Sequence, residues 1–201
     1  GLETPRSLIV VTGDGEKRIY VLGSAQAALS ISSPSEVSWN LAEKCDLLYI
    51  GETFLEVAEV IASFAETRGK TIVYRPTTPY LELGVSKLSS VLRNVSIFLI
   101  NDAGWEVLRS RSDGIKKPSD LLGLGPGTVI VTRGSQGCTI HSKDRAFEVP
   151  GFRLKTVDTT GAGDAFAAGL IRALLDGRSM RDSARYACAT AALSVTRAGS
   201  R

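Results

Sequence analysis

Residues 158–164 read Asp158-Thr159-Thr160-Gly161-Ala162-Gly163-Asp164, two carboxylates and two hydroxyls around a glycine-rich corner, and the run that follows from Ala165 to Leu170 is small or apolar throughout. A glycine-rich corner that opens an apolar helix lets backbone amides approach an anion, and the helix dipole adds partial positive charge there. A carboxylate beside such amides is repelled by the anion. That placement makes chemical sense if Asp164 takes a proton from a hydroxyl attacking phosphorus while the amides stabilise the charge spreading over the phosphoryl group. The residues alone leave a second reading open, in which Asp164 only caps a helix, at about 0.5–2 kcal/mol, and the glycines only shape the corner.

Composition narrows the other chemistries. His141 is the single histidine, so Ser-His-Asp triads and multi-histidine metal sites are excluded within this chain. Cys45, Cys138 and Cys188 are odd in number and far apart, which argues against a disulfide framework or a zinc knuckle and for a reducing, cytoplasmic setting. The net charge of +3 comes without any run of like charges, so nucleic acid is not an expected partner. Positive charge is concentrated late: residues 151–201 hold eight Lys and Arg against four Asp, which suits an anionic ligand such as a nucleotide and suits a solvated helix face as well. No apolar run reaches membrane-spanning length and the first residues lack the pattern of a signal peptide, so neither a membrane nor export is expected.

The elements that must position this corner follow from periodicity. "SLIVVTGDGEKRIYVLGS" holds two β-rich runs around Gly13-Asp14-Gly15-Glu16 and predicts a hairpin within residues 1–26. Beyond it, residues 27–201 alternate short apolar strands (45–51, 70–75, 95–101) with helical patterns (54–69, 83–94, 103–111). Residues 127–151 read as one parallel strand followed by antiparallel ribbons turning at Gly134, Gly137 and Lys143-Asp144, and two helices, about 162–176 and 180–196, complete the pattern. The expected fold class is therefore α/β, a single domain with a mostly parallel sheet covered on both faces. The helix from 162 is apolar on nearly every side (Ala162, Ala165, Phe166, Ala168, Leu170, Leu174) and is expected to pack against Ala184, Ala187, Ala191 and Ala192, as core and not as a cofactor site.

"DTTGAGDAFAAGL" resembles the C-terminal signature of the ribokinase-like carbohydrate and nucleoside kinases without a gap, and the "TGDGEKRIYVLGSA", "VTRGSQG" and "SVTRAG" stretches fall in that family's order. The resemblance implies a three-layer α/β/α fold with the hairpin as a lid element. It also implies ATP-dependent phosphorylation of a hydroxyl on a small sugar, sugar acid or nucleoside, with Mg2+ and in many relatives K+. Asp164 resembles the family's catalytic base, and Gly161, Ala162 and Gly163 its anion hole. Asn101, Thr132, Gly134, Ser135 and Gly137, with Gly163, resemble the nucleotide-binding positions. Asp158 and Thr160, with carbonyls near Ser194, Arg197 and Gly199, resemble the monovalent-cation site. Pairing of lid hairpins into a homodimer is a further expectation from the resemblance.

Departures from the family pattern qualify it. Relatives follow the asparagine with Asn-x-x-Glu, whose glutamate helps place magnesium; "NDAGWE" puts Gly104 there and leaves Asp102 or Glu106 as substitutes, with helix capping as the plainer role for Asp102. Where relatives carry an aspartate after the preceding strand, "VYRPT" has Tyr74 and Arg75. An arginine there suits an acidic substrate or phosphate, and equally a surface position. Relatives also run longer at the front, and the segment ahead of Gly1 carries their first strands and acceptor-reading residues. This motivates an alternative to catalysis, a nucleotide-binding relative without its acceptor site, whose open sheet edge favours association with another chain. A dinucleotide-dependent oxidoreductase is disfavoured, because "GLGPG" at 123–127 precedes a strand when the fingerprint must follow one.

Overall fold

The computed structural model describes residues 6–11, 17–22, 37–51 and 53–199. They fall in two compact units, Gly1–Ser38 and Trp39–Arg201. In the first, β1 (Arg6–Val11) and β2 (Lys17–Leu22) pair antiparallel with Arg6 opposite Leu22 and Val11 opposite Lys17, the hairpin that the alternation predicts. Its Gly13-Asp14-Gly15-Glu16 turn lies outside the described residues.

The second unit opens with α1 (Trp39–Glu43) and then alternates: β3 (Leu47–Ile50), α2 (Leu55–Thr67), β4 (Thr71–Tyr74), α3 (Thr78–Leu81), α4 (Gly84–Leu92), β5 (Ile97–Asn101), α5 (Asp102–Ser110), a 3-10 segment (Pro118–Leu124) and β6 (Thr128–Thr132). A 3-10 turn (Gly134–Gln136), β7 (Cys138–Ser142), β8 (Ala146–Val149), α6 (Ala162–Leu175) and α7 (Met180–Ser194) follow. The sheet runs in chain order from β3 to β8; β3 to β6 are parallel, and β7 and β8 turn back antiparallel. Only the short α1, α3 and the 3-10 segments lack a counterpart in the periodicity, because elements of so few turns are too short to show one.

A strand covered on both faces has to be apolar at consecutive positions, and Ile97-Phe98-Leu99-Ile100 and Val129-Ile130-Val131 are buried without a break. Alternate residues then serve opposite layers. Ile72, Phe98, Ile100, Val129 and Val131 join Ala58 and Ala62 of α2, Leu88 and Leu92 of α4 and Leu108 of α5. Val73, Ile97, Leu99 and Ile130 join Phe166, Ala167 and Leu170 of α6 and Ala184, Ala187 and Cys188 of α7. The result is a three-layer α/β/α arrangement. Helices α6 and α7 approach closely at Gly169, where a Cβ would lie 2.7 Å from Thr190 Oγ1 and 3.1 Å from the Cα of Ala187. The all-round apolarity of α6 is only partly used for this, since Ala168 and Leu175 face outward.

Candidate functional site

Ligand sites of open α/β sheets lie beyond the carboxyl ends of the parallel strands, and this chain places its candidate residues there. The β5–β6 register sets Asn101 beside Thr132 at two adjacent strand ends. Together with Gly134, Ser135, Gly137, Ala162 and Gly163 they line one cleft of about 440 Å³. Five segments far apart in sequence therefore meet at one opening: residue 75, residues 99–103, residues 132–137, residues 151–159 and the α6–α7 pair.

The turn after β6 owes its shape to two glycines at positive φ, Gly134 at 52° and Gly137 at 93°. Arg133 N donates to Gly137 O at 2.7 Å and closes the loop, while Gln136 N and Gly137 N donate back to Arg133 O and Gly134 O. Arg133 is paired with Glu148 at 2.9 Å, and its Nε is buried without a hydrogen-bond partner. The cleft's apolar lining comes from Phe152 and Leu154, Phe166, and Cys188, Ala191 and Val195 of α7 and its end. The α6–α7 layer thus lines this cleft as well as packing into the core. No spacing rule links residues 152, 166 and 191, so this wall is absent from any linear pattern. The Sγ atoms of Cys138 and Cys188 lie 3.9 Å apart under it, and all three cysteines are free.

At α6, Gly161 occupies the N-cap with φ 79°, a left-handed conformation that glycine adopts without steric cost, and no side chain caps the helix. Ala162 N donates to Thr159 O at 3.3 Å. Helix geometry leaves the first-turn amides of Gly163 and Asp164 without intrahelical acceptors. Asp164, with its side chain about three-quarters exposed, does not cap; its Oδ1 accepts from Arg75 Nη1 at 2.5 Å. The capping alternative for Asp164 is therefore not what this fold adopts. Arg75 is the residue whose importance the sequence leaves undecided. It stands just past β4, with Tyr49 and Asp164 against its guanidinium. Burial alone would pull its pKa down, but the hydrogen bonds and charges of those two neighbours outweigh burial and hold it above the ordinary value.

Asn101 caps α5 by accepting from Gly104 N at 2.8 Å, so the capping role falls to Asn101 and not Asp102. Position 104 is crowded: a Cβ would come within 2.7 Å of Asn101 Oδ1, 2.8 Å of Leu81 Cδ1 and 3.1 Å of Ile100 Cγ1, so those side chains would have to shift. Of the two carboxylates near it, Glu106 is ion-paired with Arg109, while Asp102 lines the cleft. Among the described residues no group of three His, Cys, Asp or Glu side chains gathers to hold a metal by itself.

The residues picked out for a monovalent cation are partly brought together. Asp158 Oδ1 accepts from Thr160 N at 2.8 Å and Thr160 Oγ1 at 2.7 Å, and its Oδ2 accepts from Gly199 N at 3.0 Å. Val195 O accepts from both Val157 N and Asp158 N, which ties the end of α7 to the loop entering α6. The Ser194 hydroxyl donates to Ala191 O within its own helix, and Arg197 is exposed. Asp158→Ala removes the acceptor of three donors and is expected to cost about 1–3 kcal/mol, read as a lower denaturant midpoint, with Asp158→Asn losing less.

Comparison with known proteins places this geometry. A ribokinase of Haemophilus influenzae is 28% identical over 201 residues, covering 98% of this chain and 64% of its own length. Fructokinase-2 of Solanum lycopersicum is 25% identical over 219 residues, covering 99% of this chain and 66% of its own. The chain thus spans about two thirds of the length of these curated relatives. Among solved structures, the ribokinase of Arabidopsis thaliana complexed with ribose and ATP has the same fold, with a TM-score of 0.80 at 20% identity, covering 98% of this chain and 65% of that one. Residues 2–201 match the pfkB family carbohydrate kinase description, and the chain belongs to that family.

Proposed function

We propose that this chain is the nucleotide-binding and catalytic portion of an ATP-dependent kinase that phosphorylates a hydroxyl of a small sugar, sugar acid or nucleoside. The observation that carries this reading is the meeting of Ala162, Gly163 and the 132–137 turn at one cleft that Arg75 also lines, with Asp164 held at its margin by Arg75. The cleft's apolar wall of Phe152, Leu154 and Val195 suits a nucleobase, and the turn at Thr132, Gly134, Ser135 and Gly137 suits its phosphates. The Gly163 and Asp164 amides, with Gly161 shaping the corner and Ala162 behind it, take the transferred group, and Asp164 takes the acceptor proton.

Magnesium supplies charge neutralisation across the β- and γ-phosphates when bound, and such sites need only one or two protein carboxylates besides the phosphates. Asp102, which lines the cleft, would hold it, with Asn101 engaged in capping its helix. An all-oxygen set around Asp158 fits K+, with Thr160, Gly199 and the carbonyls of Ser194 and Arg197 as the remaining donors; its role would be to keep the loop into α6 ordered. Three free cysteines suit a reducing, cytoplasmic setting, and no described helix is long and apolar enough to cross a membrane. A homodimer through the β1–β2 hairpin belongs to the same reading, since among the described residues its two strands pair only with each other.

The test is calorimetric titration of the chain with ATP and Mg2+, with and without K+, followed on the same sample by an ADP-release screen over sugars, sugar acids and nucleosides. Binding with acceptor-dependent ADP release is expected. Binding with no release from any acceptor assigns the chain to the non-catalytic alternative, and a folded chain that binds no nucleotide overturns both.

A further inference from the structure

Arg75 serves no evident structural purpose in its pair with Asp164. The carboxylate is about three-quarters exposed, and pairs in such surroundings contribute little to stability. The guanidinium, about one-third exposed, instead overlies Gly163: a Cβ at that position would lie 2.4 Å from Arg75 Nη2 and 3.1 Å from its Cζ. The missing side chain at 163 is what makes room for it. Among the described residues Arg75 and Arg133 are the two cationic side chains lining the cleft, and Arg133 is engaged by Glu148 of β8. A guanidinium has five N–H donors in a planar fork suited to phosphoryl oxygens, so donors remain beyond the bond to Asp164.

We propose that Arg75 is a catalytic residue of this site, its guanidinium bridging the Asp164 carboxylate and the phosphoryl group in transfer over Gly163. The inference rests on the kinase reading above. In the step itself the acceptor O–H bond breaks and its proton passes to Asp164. A bond forms between the acceptor oxygen and the γ-phosphorus, and the bond from that phosphorus to the bridging oxygen breaks, its electron pair leaving with ADP. Arg75 stays protonated throughout. Before transfer it offsets the repulsion between Asp164 and the triphosphate; during transfer it carries the charge that spreads onto the equatorial oxygens. Its contact is with the group that ATP has and ADP lacks.

That difference supplies the experiment: titration of the chain with ADP and with a non-hydrolysable β,γ-imido ATP analogue, each with Mg2+, for wild type and four single variants. Arg75→Gln is expected to weaken the triphosphate analogue about tenfold or more and leave ADP unchanged. Arg75→Lys recovers part of the loss, having the charge without the fork. Gly163→Ala reproduces the triphosphate-specific loss with Arg75 still present, because the new methyl takes its place. Asp164→Asn tightens the analogue, because a neutral amide holds the guanidinium less strongly than a carboxylate does, and adding Arg75→Gln to it cancels the gain. Equal loss of both nucleotides, or no change, in Arg75→Gln overturns the role of Arg75 while leaving the kinase reading standing. Failure of the folded wild-type chain to bind either nucleotide overturns both. With an acceptor in hand, Arg75→Gln lowers kcat and leaves the acceptor KM alone; a change confined to that KM would instead make Arg75 a reader of the acceptor and sink the proposal.

Discussion

Asp164→Asn is expected to lower kcat by about 10²–10⁴-fold, the range that a positioned general base contributes. The substitution is nearly isosteric, and its amide oxygen still accepts from Arg75, whose Nη1 lies 2.5 Å from the present carboxylate. What is lost is the ability to take a proton. Because Asp164 is exposed and carries no helix cap, folding stability should hardly change. Nucleotide affinity should be kept or rise, since a negative charge next to the phosphates has been removed. ADP release with the acceptor found by screening, measured beside nucleotide titration and a denaturant curve, separates the three quantities. Turnover near the wild-type level would remove Asp164 from the chemistry and leave its ion pair as its whole role.

Gly137→Ala is the second substitution with a large effect, on folding and binding together. The residue has φ 93° and ψ −130°, and a Cβ there would lie 2.0 Å from Val149 O, 2.5 Å from Gly151 N and 2.7 Å from the carbonyl carbon of Pro150. All three are backbone atoms where β8 leaves the sheet, so no rotamer change relieves the clash. Strained conformation and displaced backbone together are expected to cost about 3–4 kcal/mol. Since Gly137 O accepts from Arg133 N to close the turn, the same displacement opens the phosphate-facing loop, and nucleotide affinity falls with stability. Gly134→Ala is the control. Its φ is 52° and its Cβ meets nothing within 4 Å, so only the left-handed backbone is penalised, at about 1 kcal/mol. Denaturant midpoints for the pair should therefore differ widely although both glycines belong to one five-residue loop; equal midpoints would mean that conformation and not crowding decides this turn.

Much of this architecture is local information and could be read along the chain. Continuous apolar runs such as Ile97 to Ile100 marked strands with two covered faces, and apolar spacing marked α2, α4, α6 and α7, because burial imposes its period on every sequence that satisfies it. The corner at 158–164 was legible for a similar reason: a left-handed Gly161 ahead of an apolar helix is a backbone requirement written in residue types. The family, too, was legible from that one gapless stretch.

Tertiary structure decided what lies between distant segments. Whether Arg75 was a surface residue or part of the site depends on β4 ending within reach of the first turn of α6, 89 residues later. That Asp102 and not Glu106 lines the cleft depended on the distant segments that build it, and the crowding at position 104 on Leu81 of α3, a helix too short to leave a periodic trace. The apolar wall came from residues that share no spacing at all. Sequence thus determined which backbone could bend and which faces had to be buried, since those are properties of neighbours in the chain. Only the packed sheet determined which charges meet, because strand order and register set those distances.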